Sequence, residues 1–390
     1  MNDRDRSSAQ VQKSQISHPL GEALVRDDVL ICVGAGGVGK TTIAATIALR
    51  AAEQGKRSLV CTIDPARRLA DSLGLSELGN TEARISGERL AEAGLNPDAQ
   101  LYAMMLDTKR TWDEFIERYA PADKREQILA SRFYQSLSSS LAGSQEYIAM
   151  EKLWQLHSQH RYQLLVLDTP PTAHALDFLD APNRVLDFLD NDAARWLLRP
   201  ALVAGRWGLQ LFSFGGNYVA KTLAKLTGAD TLRELAEFML AISGMNESFR
   251  ERAAQVRELL AAERTAFVLV TTPRLEGIDE VVHFHRVLQQ NHMAIAALVV
   301  NRVHPAPLDS DWSDAARELK PLRAKLEATL SERQMAAERD ADAISRIGSL
   351  CEPTRLIQVP ALPSDIHDLA SLWRMSGFLF GEERLGASEW

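Results

Sequence analysis

The run Gly34-Ala35-Gly36-Gly37-Val38-Gly39-Lys40-Thr41 constrains the fold of this chain more than any other stretch, because it satisfies the pattern G-x-x-x-x-G-K-[ST]. Residues 29–33 before it (VLICV) are apolar on both faces, as a central parallel strand covered on both sides must be. Residues 42–53 after it (TIAATIALRAAE) are rich in Ala, Ile and Leu without Gly or Pro, which predicts a helix. Between such a strand and helix, glycines at 34, 36, 37 and 39 let the backbone curl until successive N–H groups point inward. The result is a nest for phosphate oxygens at a helix N-terminus, where the macrodipole favours an anion. In this pattern Lys40 brings a point charge to the β and γ phosphates, Thr41 offers its hydroxyl to a nucleotide-bound Mg²⁺, and Thr42 reaches the α-phosphate.

The rest of the chain repeats the alternation. Residues 58–63, 163–167, 266–270, 295–300 and 355–359 read as buried strands, and 109–118, 124–134, 145–159 and 275–290 as helices. This order predicts an α/β fold, a doubly wound and mostly parallel sheet of the P-loop type. Residues 183–263 have helical periodicity and no strand pattern, so a helical insertion is expected there. The expected organisation is a flexible tail over 1–18, a first part of the core over 19–182, the insertion over 183–263, and a second part of the core with C-terminal helices over 264–390. The glycine motif has no second copy, which argues against a tandem duplication. Residues 314–340 read as a charged helix or helix pair with a solvated face.

Two acids follow predicted strands at the sheet edge where ligands bind in such folds. Asp64 lies in Thr62-Ile63-Asp64-Pro65-Ala66, and Asp168 opens Asp168-Thr169-Pro170-Pro171-Thr172. An acid in either place can order a Mg²⁺ water or orient an attacking water, and equally can cap a helix.

Composition narrows the partners. With 44 basic and 52 acidic side chains the net charge is -8, which gives no reason to expect nucleic acid. Cys32, Cys61 and Cys351 form no C-x-x-C, so they read as buried apolar thiols in a reducing compartment rather than a zinc site. His157 and His160 have no Cys or acidic cluster at metal spacing. No apolar run reaches membrane-spanning length and the N-terminus is polar, so a cytoplasmic location is expected, either free or peripheral at a membrane.

Five elements, GAGGVGKTT at 34–42, TIDPARRLADSLG at 62–74, LAGSQEYIAMEKL at 141–153, LVLDTPPTAHALDFLDAP at 165–182 and VVNRV at 299–303, together resemble the ArsA-like ATPases. That family includes the arsenite-pump ATPase and the eukaryotic tail-anchored-protein targeting ATPase, within the class with a deviant Walker A motif. The match looks closest to single-P-loop bacterial members. The resemblance implies ATP and Mg²⁺ as ligands, with Gly36, Gly37, Val38, Gly39, Lys40, Thr41 and Thr42 around the phosphates. It implies Asp64 as the switch I aspartate that positions the hydrolytic water, and Asp168 as the Walker B acid beside Thr41 at the metal, partly through water. Thr172 and His174 would move on loss of the γ-phosphate, and Asn301 would read the adenine edge. Glu280 occupies a recurrent acidic position without an assigned role.

The implied activity is ATP hydrolysis coupled to conformational switching of a helical subdomain that binds a client or partner. The alternatives are a non-catalytic ATP-sensing scaffold or one subunit of a paired ATPase, and more distantly a kinase or amidoligase. The thiol cluster of the arsenite pump, the C-x-x-C clasp and the methionine-rich groove of the targeting ATPase have no counterpart here, since only Met239 and Met245 of nine Met lie in 183–263. The client is therefore expected to be an unidentified apolar protein or membrane component. Trp196, Leu197, Leu198, Leu202, Val203, Trp207, Leu211, Phe212 and Phe214 with Arg195, Arg199 and Arg206 form an amphipathic candidate surface, or else pack the insertion onto the core. Where deviant Walker A motifs carry a lysine that reaches across a dimer, this chain has Ala35. The resemblance thus leaves three arrangements open: a heteromer with a second ArsA-like ATPase, a homodimer using another cation, such as Arg67 or Arg68, or a slow monomer.

Overall fold

A strand with no polar side chain on either face is stable only under cover on both sides, and β1 (Val29–Val33) is buried at all five positions. The computed structural model describes residues 18–64, 68–140, 144–170, 181, 234–235, 237–238, 241–242, 245–307, 323–362 and 364–382. Outside this set lie the expected tail over 1–17, Pro65, Ala66 and Arg67, Thr172 and His174, the amphipathic segment 195–214 with most of the expected insertion, and 314–322.

Contacts divide the chain into two units, one of Met1–Leu106, Gln155–Leu176 and Leu260–Trp390, the other of Asp107–Trp154 and Asp177–Leu259. In chain order the first unit opens with α1 (Pro19–Arg26), β1, α2 (Lys40–Glu53), β2 (Ser58–Thr62), α3 (Arg68–Ser72), β3 (Ala83–Arg84), α4 (Gly87–Glu92) and β4 (Leu101–Met105). The second unit follows with α5 (Thr108–Tyr119), α6 (Arg125–Ala130), α7 (Arg132–Ser140), most of α8 (Ser144–Ser158) and, later, most of α9 (Asn246–Leu260). The first unit resumes with β5 (Leu164–Asp168), β6 (Thr265–Thr271), α10 (Leu275–Gln290), β7 (Ala294–Val303), α11 (Arg323–Leu350), β8 (Leu356–Pro360) and α12 (Leu369–Leu379).

The eight strands form one sheet in the order β3-β4-β2-β5-β1-β6-β7-β8. Every pairing is parallel except β3 with β4. From β1 the chain crosses to β2 on one side, and from β5 it later crosses to β6 on the other. The carboxyl end of β1 is therefore the point where the winding reverses, which in open parallel sheets is where ligands bind. The core is the paired strands together with α2, in which Ile43, Ala44, Ile47, Ala48, Leu49, Ala51 and Ala52 are all fully buried. Small Ala side chains let that helix lie close on the sheet. Its far side is held by α12 and the residues after it: Arg50 is buried, its guanidinium lies 5.1 Å from the Trp373 ring and 5.3 Å from Phe380, and it pairs with Glu382.

Two strands were not expected from the sequence. β4 is Leu101-Tyr102-Ala103-Met104-Met105, whose Leu, Ala and Met favour helices, and it becomes a strand through its pairing with β2. β3 is a two-residue antiparallel edge, too short to leave a periodic signal. α11 extends ten residues past the expected end at 340, since Ala343 and Ile347 bury an apolar face on its second half. Its first half is exposed, with Leu330 and Met335 among the exposed apolar side chains.

The second unit revises the expected boundary, which placed 107–154 in the sheet core. These helices pack on one another instead. Trp112 and Phe115 of α5, Tyr147 of α8 and Phe249 of α9 form one aromatic cluster with ring centroids 4.7 to 6.3 Å apart. Beside it Arg252 and Glu151, both nearly inaccessible, pair at 2.6 Å, and the Arg252 guanidinium lies 3.3 Å from the Trp154 ring centroid. Asp107 starts this unit by accepting a 2.9 Å hydrogen bond from the Arg110 amide as the cap of α5. Among the described residues no helix is long and apolar enough to cross a membrane.

Candidate active site

The glycine-rich loop leaves β1 at the reversal point and enters α2 through Gly39, whose φ of 98° is a left-handed conformation that suits glycine. A Cβ at Gly39 would overlap the Asn301 side-chain amide, and one at Gly34 (φ 152°) would overlap the Val270 carbonyl of β6. The loop is thus pressed against β6 and β7 on one side. No side chain caps the N-terminus of α2, so its first amides stay available to an anion. Gly36 and Gly37 are exposed, Val38 is buried, and Thr41 and Thr42 are half-buried in the first turn.

Lys40 is 6 % exposed and folds back on its own loop, donating from Nζ to the Gly34 carbonyl at 2.8 Å and the Ala35 carbonyl at 2.7 Å. Burial lowers its pKa, opposed by the negative charge of Asp168, Glu280 and Asp64. Glu280 of α10 therefore belongs to the electrostatic surroundings of this lysine.

Asp168, the last residue of β5, is fully buried. Its Oδ2 accepts from the hydroxyls of Thr41 and Thr62, each at 2.7 Å, and its Oδ1 is buried without a partner among the described residues. Burial raises its pKa to about 6, against the lowering by the two hydroxyls and Lys40. The network continues to Asp64, whose backbone N–H donates to Thr62 Oγ1 at 3.2 Å. Thr62 thus joins both acids, a role the sequence reading did not assign. Its signal is a hydroxyl at the end of a largely apolar strand, two residues before an acid. Asp64 is half-buried, with the exposed Arg68 guanidinium 4.0 Å away.

A buried carboxylate with one oxygen unpartnered and the Thr41 hydroxyl on the other is a hard oxygen donor set of the kind Mg²⁺ takes. The residues present fit that ion. They offer no soft site: among the described residues no group of three or more His, Cys, Asp or Glu could hold a metal. Cys32 of β1 and Cys61 of β2 are separated by β5, and Cys351 follows α11.

Asn301, expected to read an adenine edge, lies in β7 beside the loop. Its side chain turns under the loop, where Nδ2 donates to the Val38 carbonyl at 2.8 Å and Oδ1 accepts from the Arg302 amide at 3.0 Å. A bulge in β7 explains the turn: pairing with β8 passes from Val300 and Gln358 to Val303 and Pro360, which puts two residues opposite one.

A glycine-rich loop between β1 and α2 at the reversal point of a parallel sheet, with a buried acid at the end of a neighbouring strand, defines a P-loop nucleotide hydrolase. The profile of the family described as anion-transporting ATPase, the ArsA ATPases, matches residues 28–381, and the chain belongs to that family. It is an ATPase. The chain is similar to the ATPase GET3B of Arabidopsis thaliana, 27% identical over 324 residues that cover 78% of this chain and 71% of the relative. It is also similar to the ATPase get3 of Aspergillus terreus, 23% identical over 378 residues covering 96% and 97%. An arsenical pump-driving ATPase of Aquifex aeolicus is 22% identical over 359 residues, covering 91% and 79%.

Proposed function

We propose that this chain hydrolyses Mg²⁺-bound ATP at the loop and uses the cycle to change the shape of its helical unit around an apolar protein client or membrane component. The observation that carries the reading is the Thr41–Asp168–Thr62–Asp64 network beside Lys40, which gathers a helix-turn hydroxyl, a buried acid and a half-exposed acid at one sheet edge. The amides of residues 36–42 hold the phosphates. Lys40 exchanges the Gly34 and Ala35 carbonyls for β and γ oxygens. Thr41 and Asp168 would hold Mg²⁺, which when bound would neutralise charge on the β and γ phosphates. Asp64 accepts a hydrogen bond from the attacking water and aims it at the γ-phosphorus. A P–O bond forms to that water, the bridging P–O bond breaks, and ADP and phosphate leave.

The same reading puts the work in the cytoplasm, with contact at a membrane surface as one form of client. It also pairs the ATPase with a second subunit, either a copy of itself or another ArsA-like ATPase, since Ala35 leaves Lys40 as the only lysine of the loop. Hydrogen exchange tests the coupling. Amides of residues 107–154 and 245–259 should change protection between a non-hydrolysable ATP analogue and ADP, while equal protection in both states would remove the switch from this account.

A further inference from the structure

Among the described residues three non-glycine positions have positive φ: His160 (51°), His292 (55°) and Arg302 (60°). The two histidines follow helices, and their amides close turns onto His157 and Gln289, where left-handed residues are routine. Arg302 is different, because it lies inside β7 at the bulge. Long side chains rarely adopt this conformation within a strand, and it persists where the surroundings fix it. Here the Asn301 amide group fixes it, by accepting from the Arg302 N–H and donating to Val38 of the phosphate loop. The Arg302 side chain is exposed between buried neighbours, and among the described residues its guanidinium has no hydrogen bond or ion pair. A bulge that re-aims one side chain beside a site is a functional device more often than a defect.

The sheet order says which end of a ligand this cation would meet. Asp168 ends β5 and Asp64 follows β2, both on one side of β1, whereas Arg302 is on β7, on the other side. The γ-phosphate belongs with the two acids, so the opposite half of the nucleotide extends toward β6 and β7. We infer that Arg302 is a nucleotide-binding residue whose guanidinium contacts the base, ribose and α-phosphate half of the bound nucleotide. The inference rests on the ATP-site reading above. Such a contact is made equally in the ground and transition states, so it supports affinity and leaves the chemical step alone.

Arg302→Gly tests this without disturbing the backbone, since glycine accepts the left-handed conformation. Titrations with ADP and with a non-hydrolysable ATP analogue should both weaken about tenfold, the loss typical of one charge-assisted hydrogen bond. KM should rise to match while kcat stays within about twofold. Arg302→Lys should recover part of the loss. Wild-type affinity in Arg302→Gly would overturn the inference, as would a fall in kcat with unchanged affinity, or a lower unfolding midpoint without nucleotide. Failure of the wild-type chain to bind either nucleotide would instead overturn the reading of the loop.

Discussion

The Thr41 hydroxyl lies 2.7 Å from Asp168 Oδ2, joining the first turn of α2 to the end of β5 across 127 residues of sequence. The second oxygen of the same carboxylate is buried and unpartnered among the described residues. Leaving a buried carboxylate oxygen without a partner costs free energy. A cation bound at this site would offset that cost. In Asp168→Asn the amide oxygen still accepts from Thr41 and Thr62, so the fold should hold. Mg²⁺ affinity, read by titration in the presence of ATP, should fall about 10- to 100-fold, the effect typical of a lost metal-site group. Unchanged Mg²⁺ dependence would remove Asp168 from the metal site.

The same burial gives a pH signature. Asp168 has a folded pKa of about 6 against an ordinary value of 3.8, so between these values the folded chain holds a proton that the unfolded chain has released. Without ligand, this group's contribution to stability is full below about 3.8 and is lost as pH rises through about 6. Metal binding through this group would have the opposite dependence, because it needs the carboxylate. Mg²⁺ affinity should therefore rise through pH 6 with release of about one proton, measurable by calorimetry in two buffers of different ionisation enthalpy. Asp168→Asn should abolish that proton release.

The loop tolerates no side chain where it meets its neighbours. At Gly34 an added methyl would meet the rigid Val270 carbonyl, and at Gly39 the Asn301 amide, and both positions have positive φ. Each alanine substitution should lower stability by about 1–3 kcal/mol and weaken ATP binding. Gly39→Ala should be the milder, because an amide side chain can move and a strand carbonyl cannot. Denaturant midpoints order the two, and the reverse order would contradict the packing described here.

In the helical unit Glu151 and Arg252 are buried together, and burial raises the Glu151 pKa against the lowering by Arg252. Glu151→Ala leaves a buried guanidinium without its carboxylate and should destabilise by about 3–5 kcal/mol. The double variant Glu151→Ala with Arg252→Met should recover much of that loss, since the desolvation of both charges disappears with them. A double variant no more stable than the single one would mean that the pair contributes more than it costs.

Much of the first unit is legible in the sequence because its signals are local. An apolar run, a glycine loop and an Ala-rich helix specify β1, the loop and α2 without knowledge of the rest. The strand ends also carry Asp64 and Asp168 visibly. β4 is illegible for the converse reason: Leu-Tyr-Ala-Met-Met has no strand preference of its own and is decided by the neighbour it pairs with. The hydrogen bond from Asn301 to the loop is illegible, because it depends on a one-residue bulge in β7 that turns the amide under the loop, and no local pattern marks a bulge. The role of Thr62 is illegible, since a threonine in a strand is ordinary until its partner, 106 residues away, is known. The boundary of the helical unit is illegible because the aromatic residues of α5 and α8 find Phe249 of α9, a long-range contact that periodicity does not encode.

The most direct test of the site as a hydrolytic one is single-turnover phosphate release by the purified chain with Mg²⁺ and excess enzyme, comparing wild type, Lys40→Ala and Asp64→Asn. Wild type should convert bound ATP to ADP and phosphate, and Lys40→Ala should lose both binding and release. Asp64→Asn should bind ATP within about threefold of wild type and release phosphate about 10²- to 10³-fold more slowly, the scale on which loss of one preorganised polar group slows a chemical step. Phosphate release by Asp64→Asn at the wild-type rate would contradict the water-positioning role of Asp64.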